Sequence, residues 1–164
     1  MPIVSEVKGD IVKLALAGKY KAIVQGCNCL CVMGSGLAPQ IKKAWPEVYE
    51  ADCKTERGDR SKLGKFTSHH DTEVDVRIFN LYTQFAFDRI KGKHDVDYEA
   101  VAMVFKRLNT VIPSIERNAW RCDDRKVGIP MIGSDLAGGH WQAIKVIIDL
   151  VTPNLDIELV IYQP

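Results

Sequence analysis

The chain has 164 residues, 46% apolar and 26% charged, which suits one compact domain over 1–164 able to bury its own core. A net charge of +1 sets up no long-range field toward polyanions, so composition calls for neither nucleic acid nor an acidic membrane, and a ligand must be gripped locally. Five cysteines, an odd number, come without a hydrophobic leader, and no apolar run nears the ~18 residues of a membrane span. These features predict a cytoplasmic protein with reduced thiols.

In chain order, "IVSEV" (3–7) reads as a short strand, and Gly9 and Asp10 punctuate it before the apolar step "IVKLAL". Residues 22–26 form the next strand. Pro39 falls in the first turn of a helix, where its missing N–H costs nothing, and that helix is predicted to run to about Tyr49 through Ile41, Ala44, Trp45 and Val48. A charged loop, "KTERGDRSK", leads to two strands, "LGKFTSH" and "VDVRIFNLYTQ", joined by a polar turn at Asp71 and Thr72. Asp97 is placed to cap a long amphipathic helix with Val101, Val104, Phe105, Leu108, Val111 and Ile112 inward, which Pro113 should end or kink. "KVGIPMI" (126–132) is a buried strand, "GSDLAGG" (133–139) a glycine-rich loop, and His140 to Val151 a helix with Trp141, Ile144, Ile147 and Val151 inward. "IELVIYQ" closes the chain as a strand. Strands alternating with helices argue an α/β sandwich around a largely parallel sheet.

A strand, a glycine-rich loop and a helix start occur in that order twice, around Gly34 to Leu37 and around Gly133 to Gly139. In an open parallel sheet, ligands bind at the strand carboxyl ends, so two such loops can face each other across one crevice. Each helix start contributes ~0.3 to 1 kcal/mol toward an anion, up to ~2 when partly buried. Two phosphates joined to something larger fit that arithmetic. The familiar phosphate motifs are absent: "GSGLAP" lacks the third glycine of the dinucleotide fingerprint, and no Gly-Lys-Ser/Thr follows either loop. Cys27, Cys29 and Cys31 alternate, which would set them on one side of an extended segment. Zinc sites show Cys-x2-Cys spacing with a matched second pair, so Cys27 and Cys29 read as small packing residues and no metal is expected.

"KGDIV" (8–12), "IVQGCNC" through "MGSGLAPQI" (23–41), "LGKF" (63–66), "NLYTQ" (80–84), "IPMIGSDLAGGHW" (129–141) and the closing "VIYQ" together resemble the macrodomain family. The similarity is to its branch in yeast and bacteriophages that processes ADP-ribose 1''-phosphate. The match runs nearly end to end and keeps the motif order. It implies a three-layer α/β/α fold with a central mixed, largely parallel sheet, and a pocket for ADP-ribose.

On that resemblance, Asp10 accepts a hydrogen bond from the adenine amino group, with the Ile11 backbone alongside. Asn28 contacts the terminal ribose. Gly34, Ser35, Gly36 and Leu37 surround that ribose and one phosphate, and Gly133, Ser134, Asp135, Leu136, Ala137 and Gly138 form the opposing loop. Tyr162 stacks on adenine or simply packs. The implied reaction is attack of water on the 1''-phosphate, with His140 and Asp135 as catalytic candidates beside Asn28 and no cofactor. His140 also reads as a helix-start residue facing solvent, and His69, His70 and His94 as surface residues. In the hydrolytic yeast relative a histidine stands where this chain has Gln25. The lysine and aspartate of the branch that removes ADP-ribose from protein glutamates would fall near Gln84 and Ala137. A non-catalytic reader of ADP-ribose or of ADP-ribosylated protein, and an ADP-ribosyl or O-acetyl-ADP-ribose ester hydrolase, therefore remain as alternatives. The expected state is a monomer binding neither nucleic acid nor membrane.

Overall fold

The computed structural model describes residues 2–87, 95–117, 123–134 and 137–164. Its strands are β1 (Ile3–Gly9), β2 (Tyr20–Cys27), β3 (Phe66–Asp71), β4 (Val76–Tyr82), β5 (Lys126–Ile129) and β6 (Ile157–Tyr162). They form one sheet in the order β1-β6-β5-β2-β4-β3, parallel throughout except for the antiparallel pair β3 and β4. The helices are α1 (Ile11–Leu16), α2 (Ala38–Ala44), α3 (Pro46–Cys53), α4 (Tyr98–Arg117) and α5 (Trp141–Val151). One core, under α4 and α5, gathers Val24, Phe79, Phe105, Leu108, Ile144 and Ile148, while a second on the opposite face gathers Ile11, Tyr20, Ile23, Ile41, Trp45 and Val48. The result is the three-layer α/β/α arrangement. Among the described residues no helix is long and apolar enough to cross a membrane.

Several elements depart from the sequence expectation for identifiable reasons. "IVKLAL" is a helix, α1, because Asp10 caps it: Oδ1 accepts from Val12 N at 3.0 Å and Lys13 N at 3.1 Å. The single helix expected from Pro39 to Tyr49 is two. Trp45 precedes Pro46 and is driven out of the helical region, to φ −135° and ψ 82°, so α2 stops and α3 starts at Pro46. Trp45 is buried at that corner, and its Nε1 donates to Asp71 at 2.8 Å.

Pro113 does not end α4, which continues to Arg117. An interior proline costs about 3 kcal/mol, and burial of Leu108 and Ile112 just before it offsets that loss. Asp97 caps α4 as expected, its Oδ1 accepting from Ala100 N at 2.9 Å. β5 is shorter than the seven-residue run suggested, stopping at Ile129 before Pro130. Ile148, which the pattern reading of α5 left out, is fully buried alongside Ile144. His94 lies outside the described residues.

Candidate functional site

A cavity of about 840 Å³ opens at the carboxyl ends of the parallel strands. Its floor includes Gly26 and Cys27 from the end of β2, and β6 brings Val160, Ile161 and Tyr162. Gly34 to Leu37 form one wall, and Ile132, Gly133, Ser134 and Ala137 another, so both glycine-rich loops border a single cavity. Asp135 and Leu136 lie outside the described residues.

The first loop is held by a side chain. β2 ends at Cys27, and Asn28 then bridges its own turn, Oδ1 accepting from Leu30 N and Nδ2 donating to Val32 O, both at 2.9 Å. A carboxamide has two donors and two lone pairs, so one of each stays available on the cavity wall. Because the strand stops, the three cysteines do not share one side of an extended segment as the alternation suggested. Cys27 and Cys29 are buried in the core, while Cys31 takes a left-handed φ of 57° with its Sγ 3.7 Å from Lys62 Nζ. Burial pushes the Cys27 thiol well up, with Asp52 adding to the effect and Lys62 opposing it, so it is no thiolate nucleophile near neutrality.

The second loop is held mainly by backbone. Ala137 O accepts from Asp95 N at 2.8 Å and Val96 N at 3.3 Å, Gly139 N donates to Gly133 O at 2.6 Å, and His140 N donates to Tyr98 Oη at 2.9 Å. Gly133 has φ +73°, and a Cβ there would stand 2.6 Å from Val96 Cγ2, so both conformation and space require glycine. Ser134 donates its hydroxyl to Met131 O.

The remaining sequence candidates divide. Ile11 and Tyr162 line the cavity, and Tyr162 is 61% exposed. Asp10 sits between two wall residues, Gly9 and Ile11, but is itself off the wall, and the α1 cap uses Oδ1 alone. His140 is the exposed N-cap residue of α5; its side chain makes no cap bond and is not part of the wall. His69 and His70 are half-buried on β3, His70 Nε2 lying 2.8 Å from Asp75 Oδ1, far in the chain from either loop.

The wall residues to which sequence reasoning gave no role include Gln25, Gln40, Gln84 and Phe87. Gln25 carried a signal: it is the single polar residue within the apolar run "AIVQGC" of a buried strand. No Asp, Glu, Lys, Arg or His occurs among the described wall residues. A charged guest would therefore be met by main-chain N–H groups and neutral side chains. No cluster of metal-ligating side chains occurs among the described residues.

The layer order, the mixed sheet and the cleft between two glycine loops define a macrodomain fold, and solved structures agree. A macrodomain protein from Streptomyces coelicolor superposes with a TM-score of 0.67 at 24% identity, covering 98% of both chains. The macrodomain of Thermus aquaticus DarG gives 0.67 at 22% identity, covering 98% of this chain and 97% of that one. Thermosipho africanus DarTG, solved in complex with ADP-ribose, gives 0.64 at 18% identity over 89% of this chain and 38% of its own.

The chain belongs to the same family as the uncharacterized 17.5 kDa protein of the tk-vs intergenic region of enterobacteria phage T4. The two are 35% identical over 165 residues, covering 99% of this chain and 98% of the phage protein. It is also 26% identical over 152 residues to a DNA ADP-ribosyl glycohydrolase of Thermus aquaticus and 28% identical over 155 residues to that of Mycobacterium tuberculosis. Each match covers 91% of this chain, which spans about two fifths of those enzymes, 39% and 40%. No family model matches.

Proposed function

We propose that the cavity binds ADP-ribose and that the protein removes the phosphate from ADP-ribose 1''-phosphate, water attacking phosphorus and the C1'' oxygen leaving with the sugar. One observation carries the reading: the two glycine-rich loops, about 100 residues apart in sequence, border one cavity of about 840 Å³ whose described walls bear no charged side chain. Such a cleft suits a guest that brings its own charge between two uncharged ends. Adenine lies toward Tyr162, Ile11 and Asp10, the diphosphate between the loops, and the terminal ribose against Asn28 and residues 34–37. The likeness to the two glycohydrolases supports hydrolysis as the reaction class.

Water is the nucleophile. With no base among the described wall residues, its orientation falls to Asp135, in the second loop between Ser134 and Ala137, both of which line the cavity. His140, exposed and off the wall, has a positioning role at most. The names of the glycohydrolase relatives favour a second substrate, ADP-ribose attached to DNA. Calorimetry with ADP-ribose, phosphate release from ADP-ribose 1''-phosphate, and ADP-ribose release from ADP-ribosylated DNA separate the readings. Binding with phosphate release that fails in Asp135→Ala is the expected result. Release from DNA alone moves the substrate, binding without release from either leaves a reader, and no binding ends the proposal.

A further inference from the structure

Gln25 lies near the end of β2, 1% exposed, and forms part of the cavity wall. Its amide orientation is dictated by its neighbours. Asn80, its register partner on β4, donates Nδ2 to the Val48 carbonyl at 2.9 Å and to Thr67 Oγ1 at 3.0 Å. A carbonyl can only accept, so Asn80 must turn its own Oδ1 toward Gln25. Gln25 accordingly donates Nε2 to that oxygen at 2.8 Å. The other branch of the same planar group, Oε1, is thereby turned away from β4. Gln25 Oε1 is buried and finds no donor among the described residues. Native folds rarely bury a carbonyl unpaired, and because Gln25 belongs to the cavity lining, a guest that presses into that lining is the candidate donor.

The position of Gln25 narrows what that donor is. Its Nε2 lies 3.8 Å from Met33 Sδ, next to Gly34 of the first loop, and it stands three residues before Asn28, which lines the same cavity. On the reading above, on which this inference rests, Asn28 and the first loop hold the terminal ribose. C1'' of that sugar carries the substrate's phosphate and C5'' the diphosphate, which leaves the 2''- and 3''-hydroxyls as donors. We infer that Gln25 Oε1 accepts a hydrogen bond from one of these two hydroxyls. Gln25 is then a specificity-determining residue that favours ligands with that hydroxyl free over ADP and over analogues deoxygenated or esterified there. Thr83 Oγ1, the other buried atom without a partner, lies against Gly26 and is off the wall.

Calorimetry on wild type and Gln25→Met tests this with ADP-ribose, its 2''-deoxy and 3''-deoxy analogues, and ADP. Wild type should lose about tenfold in affinity for one of the two deoxy analogues. Gln25→Met, similar in length but without the acceptor, should bind ADP-ribose about tenfold more weakly, no longer discriminate that analogue, and keep its affinity for ADP. Equal affinity of wild type for all three ribosyl ligands overturns the inference without recourse to the variant. Equal losses for ADP and ADP-ribose in Gln25→Met also overturn it, since that pattern reports packing. Wild type binding neither ADP nor ADP-ribose overturns the cavity reading itself, and Gln25 with it.

Discussion

At the amino ends of the parallel strands, charged side chains tie the molecule together, whereas the described walls of the cavity at the carboxyl ends carry none. Arg125 donates to the carbonyls of Tyr20 at 3.1 Å and Asp75 at 2.7 Å, and pairs with Asp123 at 2.8 Å, clamping the starts of β2, β4 and β5. Glu158, near the start of β6, accepts from Tyr20 Oη at 2.7 Å and Ser5 Oγ at 2.8 Å and pairs with Lys19 at 2.7 Å. Permanent partners satisfy those charges, so they stabilise the fold in the absence of any guest. The opposite end keeps neutral groups and glycine backbone, which suits a ligand carrying its own negative charge. One end is built to be complete, the other to be completed.

The comparison is broken most severely at Gly133. In Gly133→Val a β-branched residue would have to hold φ +73° and overlap Val96, and the two effects together should cost roughly 3 kcal/mol or more. A fall of that size in urea-melt stability is expected, with ADP-ribose binding lost because the second loop can no longer close on Gly139. A variant that melts like wild type would show that the loop takes another conformation.

The pH profile comes next and separates the two ends directly. Burial raises the Glu158 carboxyl, but hydrogen bonds from Lys19, Tyr20 and Ser5 outweigh it and bring the group down to about 2. A carboxyl depressed on folding stabilises the native state above its unfolded value and loses that contribution as protons bind. The Glu158 contribution should therefore be intact above about pH 4.5 and fade between pH 4.5 and 2. Melting curves of wild type and Glu158→Gln should converge over that window. ADP-ribose affinity, by contrast, should stay flat between about pH 5.5 and 8.5, since the described walls hold no carboxylate, imidazole or amine. A step in affinity within that range would place an ionising group at the ligand.

How far the sequence reached also differs between the two ends. The order of the strands, the long helix α4, both glycine loops and the cap at Asp97 were legible, because periodicity, clustered glycines and capping residues are local signals. The break at Trp45 was equally local, since a proline follows it, yet the apolar spacing across 41–48 masked it. The neutral glutamine-lined wall was not legible. Gln25, Gln40 and Gln84 are 15 to 59 residues apart, and which of them faces a shared space is decided by sheet order, a long-range property. Gln25 announced only that a polar group interrupts a buried strand. That its carbonyl would be the unpaired atom depends on Asn80 and Val48, which no pattern in the β2 sequence encodes.

Asp10 offers the smallest and sharpest test, because it stands at the border between the two kinds of end. Its Oδ1 caps α1, a structural duty, while Gly9 and Ile11 on either side line the cavity. Asp10→Ala removes both the cap and the carboxylate, so a loss of affinity there would not say which mattered. Asp10→Ser keeps a good cap and removes only the charged acceptor. If the carboxylate meets the adenine amino group, Asp10→Ser should melt within about 0.5 kcal/mol of wild type yet bind ADP-ribose about tenfold more weakly, and should lose the preference for ADP over inosine diphosphate. Wild-type affinity in Asp10→Ser would confine Asp10 to its helix cap and leave adenine to the Tyr162 ring and the Ile11 backbone.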